Sequence, residues 1–265
     1  MDVITILGYL SAVLIGLSLG LIGGGGSILT VPVLVYLLGI EPVLATAYSL
    51  FVVGLSSLVG SWSYVKKELV SFRLAAVFGF PSIIAVYSTR KFLIPAIPEE
   101  LLNLGGFVLT KPAAIMILFS VLMIFASYSM IKGKKEIEGA TPRKLNYFLV
   151  FLEGIVVGSL TGLVGAGGGF LIIPALVILS GIPMKQAVGT SLLIIAIKSL
   201  IGFTGDWSNY PIDWTLLLSF SAIAIAGILV GSKLSDFISG KKLKPAFGYF
   251  VLIMGFYILI KEMMA

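Results

Sequence analysis

Ten apolar runs, separated by short polar or glycine- and proline-bearing breaks, make up most of this chain. In the first half they cover 3–22, 27–39, 42–64, 70–90 and 110–131, and in the second 145–165, 169–181, 184–204, 213–236 and 245–261. Most approach the roughly 20 residues that a helix needs to cross a hydrocarbon core. The second run of each half does not: about 13 residues at about 1.5 Å each reach only roughly 20 Å. Each of these short runs begins at a cluster of glycines and is bounded by Gly39–Pro42 or Gly181–Pro183. The pattern predicts an all-α polytopic membrane protein of about eight to ten membrane segments, with one short, Gly-interrupted helix in each half.

The two halves are copies of one unit. Shifted by 142 residues, 16–60 falls on 158–202 without a gap, with 19 identities in 45 positions. Gly20/Gly162, Gly23/Gly165, Gly25/Gly167, Gly26/Gly168, Pro32/Pro174 and Gly39/Gly181 are among them. The predicted organisation is a first repeat over 1–131, a basic cytoplasmic linker over 132–144 and a second repeat over 145–265.

Charge orients the copies. Of 18 Lys and Arg, 12 lie in three connections: Lys132, Lys134, Lys135, Arg143 and Lys144 centrally, Lys66, Lys67 and Arg73 in the first half, Lys233, Lys241, Lys242 and Lys244 in the second. An excess of Lys and Arg marks the cytoplasmic side. The counterpart of the 66–73 connection is "DWSNYPID", with two Asp and no Lys or Arg, so it is expected outside. One connection thus lies inside in one half and outside in the other, which makes the repeats inverted and puts both termini outside a cytoplasmic membrane. Arg73, Arg90 and Lys91 sit at predicted helix ends as solvated anchors, and Trp62, Trp207 and Trp214 fit an interfacial belt.

Composition narrows the chemistry. The chain is 58% hydrophobic and 11% charged, against about 25% charged in a soluble domain. It has no Cys and no His, which removes thiolate chemistry, the commonest metal ligand and the commonest general base. No enzyme, cofactor, metal site or nucleic-acid partner is expected; the net charge of +6 belongs to solvated loops. The glycine runs are not nucleotide loops either, because no Lys-Ser/Thr follows them.

What remains is the purpose of "GGGGS" and "GAGGG" inside apolar sequence. A helix start offers unpaired N–H groups and about half a positive charge, and glycine lets a ligand approach that backbone. Inverted repeats with matched helix breaks point to a transporter's binding site. The candidate anion-binding residues are Gly23, Gly24, Gly25, Gly26 and Ser27 in the first copy and Gly165, Ala166, Gly167, Gly168 and Gly169 in the second. Ser49, Thr190 and Ser191, in the aligned "ATAYSL" and "AVGTSL", offer hydroxyls, with Thr46 beside them. Lys198 lies deep in an apolar run, where a charge is costly and functional by default. Glu153 is the coupling candidate: it pairs with Lys198, or it takes a coupling proton while Lys198 faces the anion. The pairs Gly16/Gly20 and Gly158/Gly162 are read as helix-packing grooves.

"GLIGGGGSILTVPVL" with its echo "GLVGAGGGFLIIPAL", followed by "ATAYSL" and "AVGTSL", resembles the sulfite exporter TauE/SafE family, also called the toluene-sulfonate uptake permease family. The resemblance implies a secondary transporter of small sulfur-containing anions such as sulfite or sulfonates, with the bilayer and a coupling proton or sodium as its other partners. An anion channel or a carboxylate transporter would use the same half-helix site.

Overall fold

The computed structural model describes residues 3–104, 107–132, 147–235 and 240–264. Among them are ten helices: α1 (Val3–Ile22), α2 (Gly26–Leu37), α3 (Pro42–Lys66), α4 (Phe72–Ala96), α5 (Lys111–Lys132), α6 (Tyr147–Val164), α7 (Gly169–Ser180), α8 (Met184–Thr204), α9 (Trp214–Leu234) and α10 (Gly240–Met264). Seven of them are long and apolar enough to cross a bilayer. Of the expected basic linker, residues 133–144 lie outside the described residues; Lys132 closes α5.

Local chemistry sets several helix ends. Glu41 caps α3, accepting from the backbone N–H groups of Val43 and Leu44 at 3.0 Å each, and Pro42 follows it in the first turn. Asp213 caps α9 by accepting from Leu216 N at 3.0 Å. The two short helices lie where expected. A tight 3₁₀ turn opens α2, Pro32 lies within it, and it closes with a π turn at Val33–Leu37. Gly181, at φ 63°, ends α7 in the left-handed conformation that glycine reaches without strain.

Two elements depart from the expected pattern. The fourth run was expected to stop at Arg90, yet α4 continues through a π turn over Thr89–Leu93 to Ala96. Beyond it, β1 (Glu100–Leu104) pairs antiparallel with β2 (Phe107–Thr110), the one strand pair among the described residues.

The helices pack reciprocally. α1 packs along α9 and α4 along α6; α3 packs on α8, α5 on α10, α3 on α9 and α4 on α8. Each contact is converted into another, or into itself, by exchanging equivalent elements of the two halves. Glycines set the closest of these approaches. A Cβ on Gly158 would lie 2.5 Å from Ser82 O, and one on Gly20 would lie 2.5 Å from Ser232 N. Gly16 and Gly162 also leave no room for a Cβ, against Ala224 O and Thr89 Cβ, so both expected packing grooves exist. α3 and α8 are the most buried of the long helices and form the centre, whereas Phe80, Phe92, Phe125 and Phe148 face outward, as a lipid-exposed surface requires.

Candidate functional site

The two glycine turns meet at the centre. A Cβ on Gly24 would lie 2.5 Å from Gly169 Cα, and one on Gly169 would overlap the Gly24 backbone. Backbone therefore rests directly on backbone. Gly165, Gly167 and Gly168 hold φ of 70°, 64° and 72°, a run of left-handed residues that brings the chain from α6 straight into α7. Gly23 makes the matching bend before α2 at φ 77°. Both short helices thus start at one place, and the positive ends of their dipoles come with them. Ile195 packs on Gly24 and Gly167, and Val53 on Gly167, so the walls are apolar.

The predicted hydroxyls divide. Ser27 Oγ lies in bonding reach of Gly24 O, at 2.7 Å, and of Ala166 O across the junction; its single proton serves one at a time. Ser49 Oγ donates to Gly165 O at 2.7 Å. These two serines lace the turns together. Ser191 is buried but donates to Val188 O of its own helix, at 2.8 Å, and Val188 in turn packs on Gly23. Thr190 faces elsewhere: its Oγ1 accepts from the N–H of Ser71, which caps α4, at 2.9 Å.

Lys198 is fully buried, so its head does not snorkel to an interface. Its Nζ donates to Thr161 Oγ1 at 3.0 Å and lies beside Gly168. The expected pair with Glu153 does not form. Glu153 is half-buried on α6, eight residues before Thr161 and so about 12 Å along the axis, out of reach of the ammonium.

Arg90 corrects a second expectation. Read as a solvated anchor, it is instead 0% exposed, because α4 runs on past it. Its Nε donates to Asp206 Oδ2 at 2.6 Å, and its Nη1 donates to Thr46 Oγ1 at 3.0 Å and to Gly162 O at 3.3 Å. Asp206, in the turn after α8, is 1% exposed, and burial raises its carboxyl above the ordinary value against the pull of Arg90. Thr46 packs on Gly165, so this pair stands one side chain away from the glycine junction. Sequence reasoning missed it because the partners lie 116 residues apart. One local signal was present: Thr89-Arg90-Lys91 is followed by more apolar residues, which allow the helix to go on.

Residues 9–258 match the family model described as Sulfite exporter TauE/SafE. The chain belongs to the TauE/SafE family. It is a membrane transporter. It is 28% identical over 254 residues to a probable membrane transporter protein of Xylella fastidiosa (strain 9a5c), covering 93% of this chain and 91% of that one. It is 26% identical to the probable membrane transporter protein YdhB of Bacillus subtilis, covering 88% and 91%. A probable membrane transporter protein of Methanocaldococcus jannaschii is 24% identical, with 94% of each chain covered. No solved structure matches this TauE/SafE chain.

Proposed function

We propose that this TauE/SafE protein is a secondary transporter of small anions across the cytoplasmic membrane, with sulfite, sulfonates and related sulfur-containing anions as its substrate class. The observation that carries the reading is the meeting of the two glycine turns, with two helix starts and Lys198 Nζ at one buried place. Backbone amides at helix starts and a buried ammonium both attract an anion, and burial strengthens that attraction. The family's description supports the sulfur class.

The mechanism follows from the halves. They are inverted repeats, related by a two-fold axis in the membrane plane; the reciprocal packing of α1 on α9 and α4 on α6 supports this. The junction is shut, with Gly24 against Gly169. Rocking one half against the other separates the two turns toward one side of the membrane at a time, and the anion enters between the helix starts. Ser27 and Ser49 re-form their bonds to Ala166 O and Gly165 O on closing. Glu153, half-buried in α6, takes the coupling proton.

Counterflow in proteoliposomes tests the proposal. Purified protein loaded with unlabelled sulfite should accumulate labelled sulfite, and thiosulfate, sulfate, sulfoacetate and acetate should compete to different degrees. Flux that follows the electrochemical gradient with no exchange assigns a channel. Acetate as the best competitor removes the sulfur class and leaves the anion site.

A further inference from the structure

The buried pair Arg90–Asp206 is only half used. A guanidinium offers five N–H donors in a planar fork that fits two oxygens side by side. Here a single bond, Nε to Oδ2, joins it to the carboxylate. Arg90 Nη2 and Asp206 Oδ1 are both buried without a hydrogen-bond partner. Leaving such buried groups without a protein partner is unfavourable, and an arrangement built only for stability would close the fork.

The surroundings add charge of one sign. Arg90 bonds Gly162 O and Lys198 bonds Thr161 Oγ1, so two fully buried cations address successive residues in the last turn of α6. Asp206 is the carboxylate bonded to either of them among the described residues. The pair also belongs to one end of the molecule. The residues equivalent to Arg90 and Asp206 under the 142-residue shift are Ser232 and Tyr64, neither of them charged. Asp206 stands in the turn between α8 and α9, beside exposed Trp207, Ser208 and Asn209, and Lys91 Nζ donates to Ser208 Oγ at 2.6 Å. The pair therefore lies between the glycine junction and that surface.

We propose that Arg90 is the oxyanion-selecting residue of this transporter and that Asp206 is its intramolecular competitor. An oxyanion carrying at least two oxygens on one centre takes the Nε and Nη2 face of Arg90 and displaces Asp206; when the anion leaves, Asp206 returns. This deepens the transport reading above and rests on it. It specifies the ligand further, since a monatomic halide offers no pair of oxygens to fill the fork, whereas sulfite and a sulfonate group do.

The test uses the full-length protein in detergent and in proteoliposomes, with sulfite and chloride as probes. Arg90→Lys keeps the charge and removes the fork: sulfite affinity should fall about tenfold or more while chloride competition stays unchanged. Asp206→Asn removes the competitor: sulfite affinity should rise several-fold, and added sulfite should raise the melting temperature of this variant more than that of the wild type. A pair that is only structural gives the opposite result, with sulfite affinity unchanged or lower in Asp206→Asn, and that overturns the proposal. Wild-type sulfite affinity in Arg90→Lys overturns it too. If the wild type binds and exchanges sulfite in either case, the transport reading stands and only the role of Arg90 falls. A wild type that binds no oxyanion removes both.

Discussion

Replacing Gly24 by alanine tests the meeting of the two glycine turns. The added Cβ would lie 2.5 Å from Gly169 Cα and 2.5 Å from Ile195 Cδ1. Carbon atoms at rest sit about 3.5–4.0 Å apart, so the Gly169 backbone has to retreat by about 1 Å, and Ile195 with it. Overpacking of this kind costs about 1–3 kcal/mol, which in a chain of this size lowers the melting temperature by about 2–12 °C. Gly39→Ala supplies the matched control. Gly39 has nothing within 4 Å of its would-be Cβ, but its φ is 67°, so alanine there costs roughly 1–2 kcal/mol through backbone strain alone. The two variants therefore lose comparable stability, and only Gly24→Ala pushes on the junction. Melting of the purified proteins and sulfite counterflow per folded molecule are the measurements. Gly24→Ala should lose about tenfold or more in exchange, whereas Gly39→Ala stays near wild type. Equal exchange by both variants refutes the idea that the turns must close on each other.

Lys198→Met replaces a buried ammonium by an apolar side chain of similar length; fold and melting temperature should hold or improve while sulfite exchange is lost, and full exchange would remove Lys198 from the mechanism. Ser49→Ala leaves the buried Gly165 carbonyl without its hydroxyl donor, a loss of about 1–3 kcal/mol to be read as a lower melting temperature; an unchanged melt would show that the serine does not tie the turns. Glu153→Gln should preserve counterflow, which needs no net proton movement, but abolish uphill uptake driven by a pH gradient. Gradient-driven uptake at the wild-type rate in that variant would exclude Glu153 as the coupling acid.

How much of this was legible in the sequence depends on whether the signal is local or long-range. The short helices were readable because Gly23–Gly26 and Gly165–Gly169 recur at a fixed offset and interrupt apolar runs too short to span. The packing glycines at 16, 20, 158 and 162 were readable for the same reason. Arg90 was not, because a charge followed by Pro95 and Pro98 resembles a helix end, and the partner that lets it stay buried is supplied by a turn 116 residues away. The strand pair carried a sequence signal that lay between two expected apolar runs: "ELLNL" and "FVLT" flank a Gly-Gly dipeptide, a pattern that favours antiparallel pairing. The absence of a Glu153–Lys198 pair lay outside any periodicity, since Lys198 meets α6 two turns beyond Glu153.

The same geometry accounts for why two cations gather beside the proposed anion site. The turn Gly165–Gly168 joins the carbonyl end of α6 to the amide end of α7. A helix carries about half a negative charge at its last turn and about half a positive charge at its first. Arg90 and Lys198 bond the last turn of α6, at Gly162 O and Thr161 Oγ1, where their charges are partly offset without any ligand. An anion seated at the start of α7 lies on the other side of the same turn, within the field of both cations. In the proposed mechanism the cations are tolerable without substrate because a helix end, and for Arg90 also Asp206, steadies them, and binding is favoured because a second helix end and those cations act on the anion together. A single glycine turn placed between two helices provides both conditions, which neither a continuous helix nor a packing groove would.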